Sequence, residues 1–128
     1  MKRTMQACTV LLLAFACAIA VAHPVDAEAD FGAFLARWRA AIVANDAEAI
    51  ARMAQVPFLF ESEPHDRADV ARMVVPALLT ADVRRCLRTA PPLREDDRYV
   101  LSCAPYLFYF GRVDGQWRWM EFAADGEG

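Results

Sequence analysis

The stretch CAPYLFYFGRVDGQWRWMEFA, Cys103 to Ala123, is two aromatic-rich apolar runs on either side of Asp114-Gly115. Asp-Gly between apolar runs is a strong hairpin signal, because a type I′ turn needs positive φ at both central residues. Centring the turn there sets Val113 opposite Gln116, Arg112 opposite Trp117, Phe110 opposite Trp119 and Phe108 opposite Glu121. Side chains alternate across a strand. One face therefore carries Tyr106, Phe108, Phe110, Arg112, Trp117, Trp119, Glu121 and Ala123. The other carries Leu107, Tyr109, Val113, Arg118, Met120 and Phe122. Both faces are largely apolar, so neither can simply be left to water. The first, heavier in rings, is expected to face the core. The second needs cover from the chain itself or from a partner.

Outward from this ribbon, Tyr99 to Cys103 reads as the preceding strand, with Tyr99, Leu101 and Cys103 on one side. Arg94-Glu95-Asp96-Asp97-Arg98 before it reads as a solvated charged turn, and Pro91-Pro92 as a stop. Thr80 caps a short helix over 81–89 whose inward residues are Val83, Cys86 and Leu87. Asp66 caps another, with Val70, Met73, Val74 and Leu78 inward and Pro76 ending or kinking it. Ser62 to His65 reads as a turn, and Val56 to Glu61 as a short strand. Pro57 confines that strand to an edge or marks its start. Phe31, Phe34, Leu35, Trp38 and Ile42 recur at the spacing of one helical stripe, with Arg37 and Arg39 off it and Asp30 as N-cap. Asn45-Asp46-Ala47-Glu48 reads as a break followed by a capping-box start. The second helix that follows turns Ile50 and Met53 inward. The predicted order is α-α-β-α-α-β-β-β, an α+β fold with a curved antiparallel sheet on N-terminal helices.

The N-terminus has a basic start, Met1-Lys2-Arg3, an uncharged apolar run from Val10 to Ala22, and small residues at Ala20-Val21-Ala22. That is the pattern of a secretory signal peptide over residues 1–22, cut before His23. The run is short for a membrane span, which needs about 20 residues. Acylation of Cys17 is the competing reading, and Ala14-Phe15-Ala16 lacks the aliphatic residue expected three places upstream. Removing residues 1–22 leaves 106 residues, enough for a single domain over 23–128, and moves the formal charge from −3 to −5. The expected location is periplasmic or secreted. An acidic surface argues against nucleic acid and against an anionic membrane as partners once the signal is gone.

Cys86 and Cys103 are then the two remaining cysteines. In an oxidising compartment a disulfide is the leading reading, and closing this loop stabilises by about 3 kcal/mol in the chain-entropy treatment. A catalytic or metal-binding thiol is the alternative, but no Cys-x-x-Cys spacing is present.

Two helices with a Phe-Trp stripe broken at Asn45-Asp46, further helices, and a terminal hairpin carrying YFGRVDGQWRW resemble the nuclear transport factor 2-like, or SnoaL-like, superfamily. The resemblance covers residues from about Asp30 to Ala123, and its strongest part is aromatic-x-x-x-Asp-Gly-x-Trp. It implies a cone-shaped α+β fold with a pocket at the wide end. Members of that superfamily include isomerases, hydrolases, dehydratases, ligand binders and protein-binding dimers, so the fold leaves function open. The chain departs from the pattern where the strand at Phe58 runs almost directly into the helix at Asp66. No Asp or His motif of the enzymatic members is matched.

Glu121 is the most interesting candidate. A carboxylate among Trp119, Phe108 and Phe110 would have a raised pKa by desolvation and would serve as general acid or base, with Tyr106 or Tyr99 as donor. The competing reading puts Glu121 at the rim, solvated or paired with an arginine. Trp38, Phe108, Phe110, Trp117 and Trp119 are candidates to line a pocket for a small apolar ligand, or simply to fill the core. His65 with Glu63 and Asp66 is better read as a turn than as a metal site, since no second His stands at ligand spacing. Ser102 lacks a nucleophile-elbow setting. Arg84, Arg85 and Arg88 form a basic patch, solvated or facing an acidic partner. No cofactor motif is present. The leading expectation is a ligand-binding or protein-interaction module, with a homodimer through Leu107, Tyr109, Met120 and Phe122 as one form. A lyase or isomerase using Glu121 is the alternative.

Overall fold

The computed structural model describes residues 24–124, together with Ala14 and Ala16; side chains in the first helix are described from Glu28 onward. The expected signal peptide, Cys17 and the acidic tail after Ala124 lie outside the described residues.

The first helix, α1 (Pro24–Ala44), starts a turn and a half before the expected cap at Asp30. Pro24 suits a first helical position, where its missing N–H costs nothing. Phe31, Phe34, Leu35, Trp38 and Ile42 are all buried, as their spacing predicts. Asn45 ends the helix at φ 50°, a left-handed conformation that Asn tolerates. Asp46 then caps α2 (Ala47–Arg52), its carboxylate accepting from Ala49 N–H at 3.1 Å. The reciprocal half of a capping box is missing because Ala49, not Glu48, holds the third helical position.

The chain next forms a small hairpin, β1 (Phe58–Phe60) against β2 (Glu63–His65). The expected turn at Ser62–His65 is thus corrected: the turn is Glu61-Ser62, both at positive φ, and Glu63 already belongs to a strand. Three-residue strands are too short to show a period. Asp66 caps α3 (Arg67–Asp69), accepting from Asp69 N–H at 2.9 Å. The helix widens into a π turn over Val70–Val74 and closes as α4 (Val75–Leu78). Pro76 has no N–H for the preceding turn, and the widened turn lets the helix pass through it. The extra residue per turn rotates the stripe, so Val70, Ala71, Val74, Val75 and Leu78 face inward. Met73, expected inward, is 41% exposed. Thr80 caps α5 (Ala81–Leu87), and Val83 and Leu87 are buried as expected.

Four strands complete the chain: β3 (Leu93–Glu95), β4 (Arg98–Cys103), β5 (Tyr106–Val113) and β6 (Gln116–Ala124). They form one antiparallel meander in the order β3-β4-β5-β6, and the architecture is α+β. The charged turn expected at 94–98 is corrected to a hairpin, with Arg94 and Glu95 in a fully exposed edge strand. Charged residues are what an edge strand needs to avoid pairing with other chains. The opposite edge is covered at Trp119, whose N–H donates to Met53 O and whose carbonyl accepts from Gln55 N–H, both at 2.8 Å.

The β5–β6 turn is at Asp114-Gly115, with φ 50° and 76°. Pairing is regular from Val113↔Gln116 to Phe110↔Trp119, then shifts: Tyr109 faces Glu121 and Phe108 faces Phe122. Met120 is the extra residue of a β-bulge. Strict alternation therefore fails beyond Trp119. Phe122 and not Glu121 lies against the core, while Glu121 and Ala123 move to the outer face.

Cys86 and Cys103 are bonded, with Cα atoms 5.7 Å apart, tying α5 to β4. A second tie runs from α1. Arg39 Nε donates to Leu87 O at 3.0 Å and its Nη2 donates to Ala90 O, satisfying carbonyls at the end of α5. Partial burial pushes the Arg39 guanidinium below its ordinary pKa through desolvation.

Candidate functional site

The ring-bearing residues come together, but they fill the interior. Trp38, Phe108, Phe110 and Trp119 are each fully buried. Trp38 lies edge-on to Phe110 at 5.0 Å and to Trp119 at 6.1 Å, and Phe58 closes on Trp119 at 4.6 Å. Edge-on and tilted pairs at these distances are favourable aromatic contacts. Among the five expected pocket residues, Trp117 is the one that borders surface cavities.

Glu121 does not enter this aromatic interior. The bulge turns it outward, where it is exposed and accepts from Arg98 Nη1 at 2.9 Å. The aromatic setting expected around Glu121 lies on the other side of the sheet. Tyr106, at the start of β5, is half-buried on the inner face, edge-on to Phe108 at 6.3 Å and to Phe122 at 5.8 Å. Glu121 and Tyr106 thus face opposite sides and do not meet one substrate. Tyr99 is buried with its ring stacked on Phe31 at 4.0 Å. His65 lies 3.9 Å from Asp69, and among the described residues no group of three His, Cys, Asp or Glu is placed to hold a metal ion.

The outer face of the sheet holds together instead. Leu93 pairs with Val100, Val100 with Tyr109, and Leu107 with Ala123, so these side chains form contiguous cross-strand rows. Met120 completes the surface. A Cβ on Gly111 would stand 3.2 Å from Met120 Cγ, so the glycine makes room for the bulged side chain to lie over the sheet. Phe122, expected on this face, is absent from it. It packs on the inner side against Phe60 at 5.9 Å. Leu93 is 61% exposed. Across this face Arg98 of β4 lies 4.3 Å over the Tyr109 ring of β5, pairs with Glu121 of β6 and reaches Glu95 of β3 at 3.7 Å.

Sequence reasoning missed Leu93, Val100 and Arg98 on this face. Leu93 sat beside Pro91-Pro92 and a charge run, which hid its strand. Val100 alternates with Tyr99 and Leu101, and its outer-face neighbours Leu93 and Tyr109 come from strands on either side.

No family model matches the chain, and no characterised protein or solved structure shows significant similarity to it. The outer face and the surface clefts are therefore read on their own geometry.

Proposed function

We propose that the chain is an exported interaction module that docks a second copy of itself through the outer face of β3–β6. The observation that carries this is the row of exposed and half-buried apolar side chains Leu93, Leu107, Tyr109, Met120 and Ala123, with Val100 buried among them, crossed by a cation, Arg98, and an anion, Glu121. A twofold interface uses the same patch on both subunits, so the patch must complement itself. Arg98 and Glu121 on this face meet that condition: each can turn from its neighbour to the opposite charge of the second copy. Export is supported by the basic, apolar and small-residue pattern at the N-terminus and by the Cys86–Cys103 bond. No helix among the described residues is long and apolar enough to cross a membrane. The arrangement of helices over a four-stranded antiparallel meander supports the resemblance to the nuclear transport factor 2-like superfamily, which stays part of this proposal. The filled aromatic interior favours an interaction surface over an apolar ligand held inside.

Light scattering on the purified segment after Ala22 tests the reading. Wild type is expected at dimer mass, with Tyr109→Arg at monomer mass and an unchanged circular-dichroism spectrum. Leu59→Arg, which alters an exposed apolar residue on the small hairpin, is expected to leave the dimer intact. A wild-type monomer at every concentration overturns it.

A further inference from the structure

We infer that the arginine-lined cleft between the end of α1 and α5 binds a tetrahedral dianion, phosphate or sulfate. Ala81, Arg84, Arg85 and Arg88 stand at i, i+3, i+4 and i+7, so they fall on one face of α5. That face and the α1 residues Ile42 and Val43 line a single cleft of about 220 Å³. Arg88 keeps helical geometry at the end of α5, with φ −61° and ψ −31°. It therefore projects between Arg84 and Arg85 of the preceding turn, with neighbouring Cβ atoms about 5–6 Å apart. Long helical side chains slope toward the N-terminus, which lays Arg88 over the turn that carries the other two. Ala81 brings only a methyl group to the same stripe and leaves the cleft unfilled.

Two of the three guanidiniums are held in place. Arg84, half-buried, donates from Nη1 to Leu79 O at 2.7 Å, and Arg85 donates from Nη1 to Asp82 Oδ1 at 3.0 Å. Each contact spends one of a guanidinium's five N–H groups and leaves the others for a ligand. Arg88 enters no ion pair among the described residues. Elsewhere on this acidic chain arginines meet carboxylates singly, Arg72 with Asp69, Arg98 with Glu121 and Arg112 with Asp30. Here three cations share one cleft, and the one carboxylate paired with any of them, Asp82, stands outside its lining.

Charge and shape decide the ligand class. Three guanidiniums against the Asp82 carboxylate leave two positive charges, which a dianion neutralises. Donors set at three positions around one helix face suit an ion whose oxygens point in several directions. A flat carboxylate offers two oxygens and a single charge, whereas guanidinium forks also match phosphate geometry. The cleft is smaller than the roughly 300–1,000 Å³ of sites that enclose an organic ligand, so its size favours the free ion. The bond from Cys86 to the buried Cys103 sets α5 against the inner face of the sheet. The cleft thus stands or falls separately from self-association through the outer face.

Nuclear magnetic resonance of the nitrogen-labelled protein, read at the arginine Nε–H signals, tests the assignment. Sodium phosphate and sodium sulfate are the probes and sodium acetate the control, with ionic strength held constant by sodium chloride. Arg84→Gln and Arg88→Gln identify the two signals by removing them. Phosphate and sulfate are each expected to shift both signals saturably, and acetate to leave them in place. In Arg88→Gln the Arg84 signal is expected to need about tenfold more phosphate, the scale of one charge-assisted hydrogen bond. Ala81→Leu keeps every charge but fills the stripe, and is expected to abolish saturation with an unchanged circular-dichroism spectrum. Arg37→Gln, an exposed change outside the cleft, is expected to leave the affinity as it is. An equal response to acetate, a shift that never saturates, wild-type affinity in Arg88→Gln or Ala81→Leu, or an equal loss in Arg37→Gln each overturns the assignment.

Discussion

Exchanging the roles of two adjacent residues, Glu121 and Phe122, gives the sharpest test of the last hairpin. Without the bulge, Glu121 faces Phe108 in the core and Phe122 lies on the outer face of the sheet. With Met120 as the extra residue, Phe108 faces Phe122 and Glu121 faces Tyr109 on the outside. Truncating a fully buried Phe to Ala costs about 3–5 kcal/mol through lost burial and a residual cavity. Phe122 is half-buried, with rings of Phe58 at 6.4 Å, Phe60 at 5.9 Å and Tyr106 at 5.8 Å around it. Phe122→Ala should therefore cost about 2 kcal/mol, somewhat under the fully buried range. Glu121 makes an exposed ion pair with Arg98, and such pairs contribute about 0–1 kcal/mol. Glu121→Ala should sit at the low end of that range. Urea unfolding of each oxidised variant, held at a concentration where association is constant, reads both numbers. A loss from Glu121→Ala as large as that from Phe122→Ala would refute the shifted register.

Two further perturbations probe how the helices are tied to the sheet. Replacing both Cys86 and Cys103 by Ala opens a loop with a sequence separation of 17 and should cost about 3 kcal/mol, read as a lower urea midpoint. Wild-type stability in the double variant would show that the bond does not constrain the unfolded chain. Arg39→Ala removes donors from the carbonyls of Leu87 and Ala90 and should cost about 2 kcal/mol in thermal unfolding, since hydrogen bonds from charged groups contribute about 1.5–3 kcal/mol. Arg39→Lys should recover only part of it, because one ammonium does not reproduce the planar fork that reaches both carbonyls.

The features legible in the sequence are those written in local chemistry. Asp114-Gly115 marked the hairpin, and Asp46, Asp66 and Thr80 marked helix starts, because each requirement is met by one residue type at one place. The α1 stripe was legible because a helix repeats its period over many turns. Three kinds of feature were not. β2 and β3 are three residues each, so Pro64 and the charges of Arg94 and Glu95 outweighed any alternation. The π turn adds a residue within an apolar helix, and Val70-Ala71-Arg72-Met73-Val74 fits either winding. The bulge at Met120 is hidden for the same reason: Trp119-Met120-Glu121-Phe122 gives an acceptable strand in both registers. Only contacts from β5 and from the small hairpin choose between them. That single extra residue moved Glu121 out of the proposed catalytic setting and Phe122 off the proposed docking face. Arg39 was legible as lying off the apolar stripe, but its target, the end of α5, is 48 residues away in the chain at Leu87.

Self-association is proposed to bring the outer face of the sheet against its own copy. The most direct measurement is an isotope-filtered NMR experiment on an equal mixture of labelled and unlabelled protein, which registers contacts only between different molecules. Contacts are expected between the Tyr109 ring of one copy and the Leu93, Leu107 and Met120 methyl groups of another. Intermolecular contacts confined to other surfaces, or none at all, would contradict it.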